Sequence, residues 1–176
     1  MRTVFNIALF DSFGFGGSRA ATVRCLVEFS GLAALVPATA PVFASCCPGI
    51  SAAARGVFPG AQIFAQAAYS HAGRGAFAQR SVAMVQALAS SPAPLWVCFP
   101  GRACPPGVVP APAARCWSGG GSGSWAECAA AAGLSVPVLV FLPAGIVPPG
   151  TFGQWATLGA GWFFLPASLP AAPTLF

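Results

Sequence analysis

The 176-residue sequence has very little charge: it contains no lysine, and only 6% of its residues are charged. Arginines alone supply the basic side chains, and with three acids they give a formal net charge of +5. The arginines form no basic run, so charge alone does not favour nucleic acid as a partner. A hydrophobic content of 56% excludes a disordered chain. With so little charge at the surface, we expect a homo-oligomer that hides apolar area.

Metal-ligating patterns are also missing. The chain has one histidine, His71, and no two cysteines in a Cys-x-x-Cys spacing, so we expect no metal site and no cofactor. Seven cysteines are an odd number, and five lie in apolar segments, which favours reduced, buried thiols over a disulfide framework. The neighbours Cys46 and Cys47 are interpreted as buried packing. We expect Cys104 and Cys116, which flank a loop, to be unpaired as well.

No apolar segment has the length and continuity of a membrane-spanning helix. Asp11 ends the first apolar run, residues 4–10, before the core of a signal peptide has formed. The uncharged segment 155–176 is interrupted by Pro166, Pro170 and Pro173, which do not fit one spanning helix. We therefore expect a cytoplasmic protein with no membrane partner.

Apolar segments alternate regularly with helical patterns. We predict strands over 3–10, 41–46, 61–66, 94–99 and 136–141, and helices over 19–36, 50–57, 76–90 and 125–132. This alternation predicts a Rossmann-like, doubly wound α/β fold with a mainly parallel five-stranded sheet and helices on both faces. Strand one is expected at the centre, followed by a loop over 11–18.

One domain is predicted over residues 1–142, with an irregular proline-rich insertion at 100–118. Residues 143–176 are interpreted as an apolar extension packed on the same domain, either as a hairpin or as an extended cover.

In such a sheet, ligands bind outside the carboxyl ends of the strands. Glycines there let the backbone approach a ligand, and helix N-termini offer unpaired N–H groups to an anion. The pattern therefore predicts a phosphate or nucleotide site, although glycine-serine runs also form flexible loops. Its candidate binding residues are Gly17, Ser18, Arg19, Gly49, Gly120, Gly121, Ser122, Gly123 and Ser124. The serines have no evident histidine partner, so a serine hydrolase is not indicated.

Two charged residues lie in the opening turns of helices that start at the same predicted rim. Arg80 shares a helix face with Phe77 and Met84, and a bound phosphate would offset the cost of a cation near a helix N-terminus. The alternative is a surface arginine lying along apolar neighbours. Glu127 is a carboxylate acting at a ribose, the partner of Ser124 in a capping box, or both.

Segments at this rim resemble the SLOG superfamily, which contains the DNA-processing protein A family and the Lonely Guy phosphoribohydrolases. Gly17-Ser18-Arg19 resembles its first phosphate loop, and segment 45–54 resembles G-x-A-x-G-I-D-x-A-A, with Ser51 in place of aspartate. Segment 77–84 has the spacing of M-x-x-R-K-x-x-M, with Phe77 and Ser81 as replacements. Segment 119–127 is similar to P-G-G-x-G-T-x-x-E.

The resemblance implies a nucleotide-binding domain in which Arg80 and Glu127 occupy catalytic positions of the phosphoribohydrolases. Such an enzyme would hydrolyse the base–ribose N-glycosidic bond of a nucleoside 5'-monophosphate. Two alternatives stay open: a non-catalytic nucleotide sensor in a phage- or plasmid-linked system, and a single-stranded DNA-binding protein of the DNA-processing type.

Overall fold

Seven strands form one sheet in the computed structural model, which describes residues 5–112 and 122–167. The strands are β1 (Ser12–Gly17), β2 (Val42–Ser45), β3 (Gln62–Phe64), β4 (Pro94–Phe99), β5 (Val138–Phe141), β6 (Ala156–Gly159) and β7 (Trp162–Leu165). The α-helices are α1 (Val23–Ala33), α2 (Ile50–Val57), α3 (Ala76–Ala89) and α4 (Gly123–Gly133). Single 3-10 turns cover Ile7–Leu9 and Gly150–Phe152, and a 3-10 segment over Gln66–Gly75 is interrupted by a kink at Gly73.

The sheet order is β3-β2-β1-β4-β5-β7-β6. The first five strands pair in parallel, and β1 lies between β2 and β4. This confirms the α/β class and the mostly parallel sheet. The predicted count of five strands is wrong, because the C-terminal chain forms a hairpin, β6–β7, and β7 adds antiparallel to β5.

The first strand lies further along the chain than the sequence indicates. Residues 7–9 of the predicted strand form a 3-10 turn with no buried residue, and Leu9 is 70% exposed. The predicted loop over 11–18 instead contains β1, in which Phe13 and Phe15 are fully buried. The glycines between the two phenylalanines disguise the apolar alternation of a strand.

Helices cover both faces of the sheet. On one face, Phe13 and Phe15 of β1 pack with α1 and α2, for example with Phe29 and Ile50. On the other, the central strands pack against α3 and α4, and the buried side chains there include Trp96, Met84, Leu88, Trp125 and Cys128. The core is therefore divided by the sheet into two apolar layers.

Two glycines on β1 make room for the indole of Trp96. A Cβ added to Gly14 would lie 2.6 Å from Trp96 Cζ3 and 2.7 Å from Leu88 Cδ2. At Gly16 it would lie 2.6 Å from Trp96 Cζ2 and 2.6 Å from Glu127 Oε2. These positions require glycine because neighbouring side chains fill the space that a Cβ would take.

The described part of the proline-rich insertion, residues 100–112, contains no helix or strand. The rest of the insertion, with Cys116, lies outside the described residues. Within 5–112 and 122–167, every helix is too short or too polar to cross a bilayer.

We expect Gly14→Ala to lower the free energy of unfolding by about 1–3 kcal/mol or more, because Trp96 and Leu88 are fully buried and leave no room for the methyl group. Gly31→Ala in α1 is the matched control, since its Cβ would have nothing within 4 Å. Alanine there should stabilise the helix by about 0.5–1 kcal/mol. Chemical denaturation followed by circular dichroism measures both changes. Equal stability of the two variants would contradict this packing.

Candidate functional site

The loops after β1, β2 and β4 meet at the carboxyl end of β1. The backbone N–H of Ser18 donates to the Phe99 carbonyl at 3.0 Å, which holds the loop after β1 against the end of β4. Gly49, in the turn between β2 and α2, has φ +73°, and a Cβ there would overlap the Ser18 carbonyl oxygen and lie 2.8 Å from that of Arg19. Only glycine fits this close backbone approach.

A buried polar cluster lies beside these loops. It consists of Arg80 and Ser81 at the start of α3 and Glu127 in α4, which are 4%, 2% and 6% exposed. The Ser81 hydroxyl donates to Glu127 Oε1 at 2.7 Å and accepts from Arg80 Nη2 at 2.7 Å. Arg80 Nη2 also lies 3.4 Å from Glu127 Oε1, which makes a buried ion pair. This Arg80–Ser81–Glu127 cluster joins the two helices on one face of the sheet.

The guanidinium of Arg80 also reaches the turn after β2. Its Nη1 donates to Cys47 Sγ at 3.0 Å. Its Nε is buried and has no hydrogen-bond partner within the described ranges. Buried donors are nearly always paired, so this unpaired N–H is a reason to consider a ligand.

For both Arg80 and Glu127, burial shifts the pKa in one direction and the neighbouring groups shift it in the other. Burial raises the pKa of Glu127 above its ordinary value, and Arg80, Ser81 and the more distant Arg19 only partly offset this. For Arg80, burial lowers the pKa, but the charge of Glu127 and the thiols of Cys47 and Cys46 outweigh it, so the pKa is raised. Arg80 is therefore a cation at any physiological pH.

Arg19 adds a second cation at the edge of the cluster. Its guanidinium lies 4.7 Å from the centre of the Phe77 ring, and that of Arg80 lies 5.8 Å from the same ring. Phe77 is 38% exposed and Arg19 is exposed, so this side of the site faces solvent. Two cations close to one aromatic ring make this side of the site electropositive, which favours a negatively charged ligand.

The structure brings together most of the residues that the sequence selected. Gly17 ends β1, and Ser18, Arg19 and Gly49 lie in the loops that meet there. Arg19 and Arg80 lie at the same Phe77 ring, and Arg80 pairs with Glu127. Ser122 is the N-cap residue of α4, and Gly123 and Ser124 begin that helix. Gly120 and Gly121 lie outside the described residues.

Both alternative interpretations of the charged pair are wrong. Arg80 is not a surface arginine, because only 4% of it is exposed. Glu127 does not complete a capping box with Ser124, since the N-cap residue is Ser122, two residues earlier. The carboxylate of Glu127 instead contacts Ser81 and Arg80.

The turn after β2 contains functional candidates that the sequence interpretation missed. Cys46 is exposed and Cys47 half-buried, so their assignment to buried packing is wrong. Arg55 Nη1 donates to the carbonyls of Ser45 and Cys47, which fixes the turn. The signal available was position: both cysteines follow a strand directly, next to a glycine that begins a helix.

Comparison with protein-family models, curated proteins and solved structures finds no match to this chain. In the part of the chain that the structure describes, no three His, Cys, Asp or Glu side chains lie close enough to hold a metal ion. The chemistry of this site is therefore argued from its own residues.

The stability of the protein should depend on pH through Glu127. Because its pKa is raised on folding, its ionisation should cost stability as pH rises from about 4.5 through the folded-state pKa. Glu127→Gln does not titrate, so the variant should gain stability relative to the native chain over this interval. Unfolding free energies of both proteins between pH 4 and 8 measure the difference, in which all other titrating groups cancel. A difference that does not change with pH would contradict the raised pKa.

Proposed function

We propose that this protein binds a nucleotide or a phosphorylated ribose derivative at the carboxyl end of the parallel sheet. The observation that carries the proposal is Arg80, a buried cation with an unpaired Nε at the point where three loops meet. An arginine in that position is suited to a phosphate, since its planar donors match the oxygens of the anion.

The phosphate would be held by Arg80 together with two further groups. Arg19 supplies a second positive charge from the loop after β1. Ser122, Gly123 and Ser124 begin the 11-residue helix α4, and Ser122 makes no side-chain cap hydrogen bond there. The first N–H groups of α4 thus lack a side-chain acceptor from the cap residue, which favours an anion at this helix end. The strand order β3-β2-β1-β4-β5 supports the same location, because doubly wound sheets of this order bind nucleotides at the carboxyl ends of their strands.

Glu127 supports a catalytic version of this function. The resemblance to the phosphoribohydrolases implies that Glu127 acts at the ribose, and its carboxylate lies beside the carboxyl end of β1, above Gly16. A carboxylate there stabilises the positive charge that develops on the ribose as the N-glycosidic bond breaks, or activates the attacking water. The proposed reaction releases a free base from a nucleoside 5'-monophosphate.

A non-catalytic nucleotide sensor is the second candidate. One observation favours it: Oε1 of Glu127 is already shared by Ser81 and Arg80, and the residue is only 6% exposed. In a sensor, Glu127 would hold Arg80 in place for the phosphate and take no part in chemistry.

Binding is tested with Arg19→Ala, because Arg19 is exposed and its removal leaves the buried cluster intact. We expect nucleoside 5'-monophosphates to bind about 1–2 kcal/mol more weakly to this variant. This loss lies toward the lower end of the free energies that hydrogen bonds to charged groups contribute. The matched control is Arg24→Ala, which also removes one exposed arginine but is paired with Glu28 on α1. Isothermal titration calorimetry with a panel of nucleotides and ribose 5-phosphate measures both. Equal loss in the two variants would refute a phosphate site at Arg19.

Turnover is tested with Glu127→Gln, which preserves the shape of the side chain. If Glu127 is catalytic, the variant should bind nucleotide nearly as well as the native protein and release no free base, measured by liquid chromatography. Binding without base release by the native protein would establish the sensor. Oligonucleotide binding that falls steeply with salt, without binding of mononucleotides, would instead establish the DNA-binding alternative.

A further inference from the structure

Cys46 lies in an environment that sets it apart from the other described thiols. It is exposed, directly after β2, and its Sγ accepts a hydrogen bond from the backbone N–H of Gln66 at 3.2 Å. The guanidinium of Arg80, which donates to Cys47 Sγ, is also close enough to interact with Cys46. Burial opposes ionisation of Cys46, but the Gln66 N–H and Arg80 outweigh it, so its pKa is lowered from the ordinary value of a cysteine thiol.

Four of the other described thiols are poorly placed to react. Cys25, Cys98 and Cys128 are at most 2% exposed. Burial raises the pKa of Cys98 above its ordinary value, and the neighbouring Cys128 and Glu127 raise it more. Cys104 is half-buried, and burial together with Cys128 raises its pKa to about 11. Reactive cysteines are accessible and close to positive charge. Cys47 contacts Arg80 but is half-buried, so of the described thiols Cys46 fits both conditions best.

A second observation concerns Arg80, whose guanidinium lies close to both cysteines. The Nε of Arg80 is buried without a partner, while its two other nitrogens contact Cys47, Ser81 and Glu127. A negatively charged oxygen formed on the neighbouring sulfur would be an acceptor for a guanidinium held in this way.

We propose that Cys46 is an oxidation-sensitive modification site, converted to a sulfenic acid by hydrogen peroxide before any other described thiol. The Cys46 thiolate attacks one oxygen of the peroxide, an S–O bond forms, and the O–O bond breaks. The sulfur is oxidised by two electrons, and the leaving hydroxide takes up a proton to become water. Cys47, next in the chain, is placed to condense with the product, releasing a second water as an S–S bond forms.

The modification would change the charge around Arg80. A sulfenate at Cys46 is an anion beside the guanidinium, and a disulfide would remove the Cys47 thiol from Arg80 Nη1. Either product alters the contacts of the cation that the cluster positions, which makes the turn after β2 a redox-sensitive part of the site. The proposal does not depend on nucleotide binding.

The test is oxidation of the full-length native protein with a small excess of hydrogen peroxide in the presence of dimedone, which traps sulfenic acids. Because the chain has no lysine, trypsin cuts only after arginine, and residues 25–55 form one peptide containing Cys25, Cys46 and Cys47. Residues 81–102 contain Cys98, and residues 103–115 contain Cys104. Tandem mass spectrometry then gives the rate at each thiol.

We expect Cys46 to be modified about 10-fold faster than Cys104, and faster still than the buried thiols, because reactivity follows thiolate content and exposure. A dimedone adduct on Cys46, or a disulfide that includes it, supports the proposal. Modification of Cys46 at the rate of Cys104 or slower would overturn it.

Two variants strengthen the test. Cys47→Ser should retain the dimedone adduct on Cys46 and lose any disulfide. Arg80→Gln removes the neighbouring charge and should slow modification of Cys46 several-fold, with Arg24→Gln as a control that removes a charge elsewhere. The buried thiols report on folding in the same experiment, because their alkylation would rise in an unfolded variant. If Cys46 reacts at the native rate in a folded Arg80→Gln protein, Arg80 does not activate it and the proposed mechanism fails.

Discussion

The buried ion pair between Arg80 and Glu127 is the constraint on which the site depends. Two charges at 4% and 6% exposure lose most of their hydration, and an N–O distance of 3.4 Å recovers only part of that energy. Ser81 supplies the missing contact by bridging the two side chains at 2.7 Å on each side. A pair of this kind contributes less to stability than to geometry, since removing either partner leaves an uncompensated charge in the core. It therefore holds α3 and α4 in one arrangement around the carboxyl end of β1.

The central strand, β1, accommodates this arrangement because Gly16 has no side chain. At Gly16 the absence of a side chain leaves room for the carboxylate of Glu127 as well as the indole of Trp96. The phenylalanines that alternate with the glycines fill the opposite face, so one six-residue strand serves an apolar core on one side and a polar site on the other. Core packing and site geometry thus depend on the same residues, and a change to β1 affects both.

Much of this fold could be predicted from the sequence, and the failures have physical causes. The bounds of α2 and β4 agree with the prediction, because an alanine-rich run and an uninterrupted apolar run give strong local signals. The first strand was misplaced because its glycines hide the alternation, whereas the more apolar segment before it is partly exposed. Arg80 and Glu127 were selected from their positions at helix starts. Ser81, Cys46 and Cys47 were not, since their roles come from contacts between segments distant in the chain, such as Arg80 with Cys47.

The two edge strands of the sheet, β3 and β6, are short or irregular, which affects whether strands of another molecule can pair with them. Edge strands with free backbone groups invite other strands to pair with them, and proteins limit this with short or irregular edges. β3 has only three residues, and β6 carries a register irregularity between Thr157 and Gly159. Neither edge offers a long, flat template, so growth of the sheet from one molecule into the next is disfavoured at both ends. Exposed apolar side chains lie instead on helix surfaces such as that of α1, where Val23 and Val27 are 78% and 61% exposed.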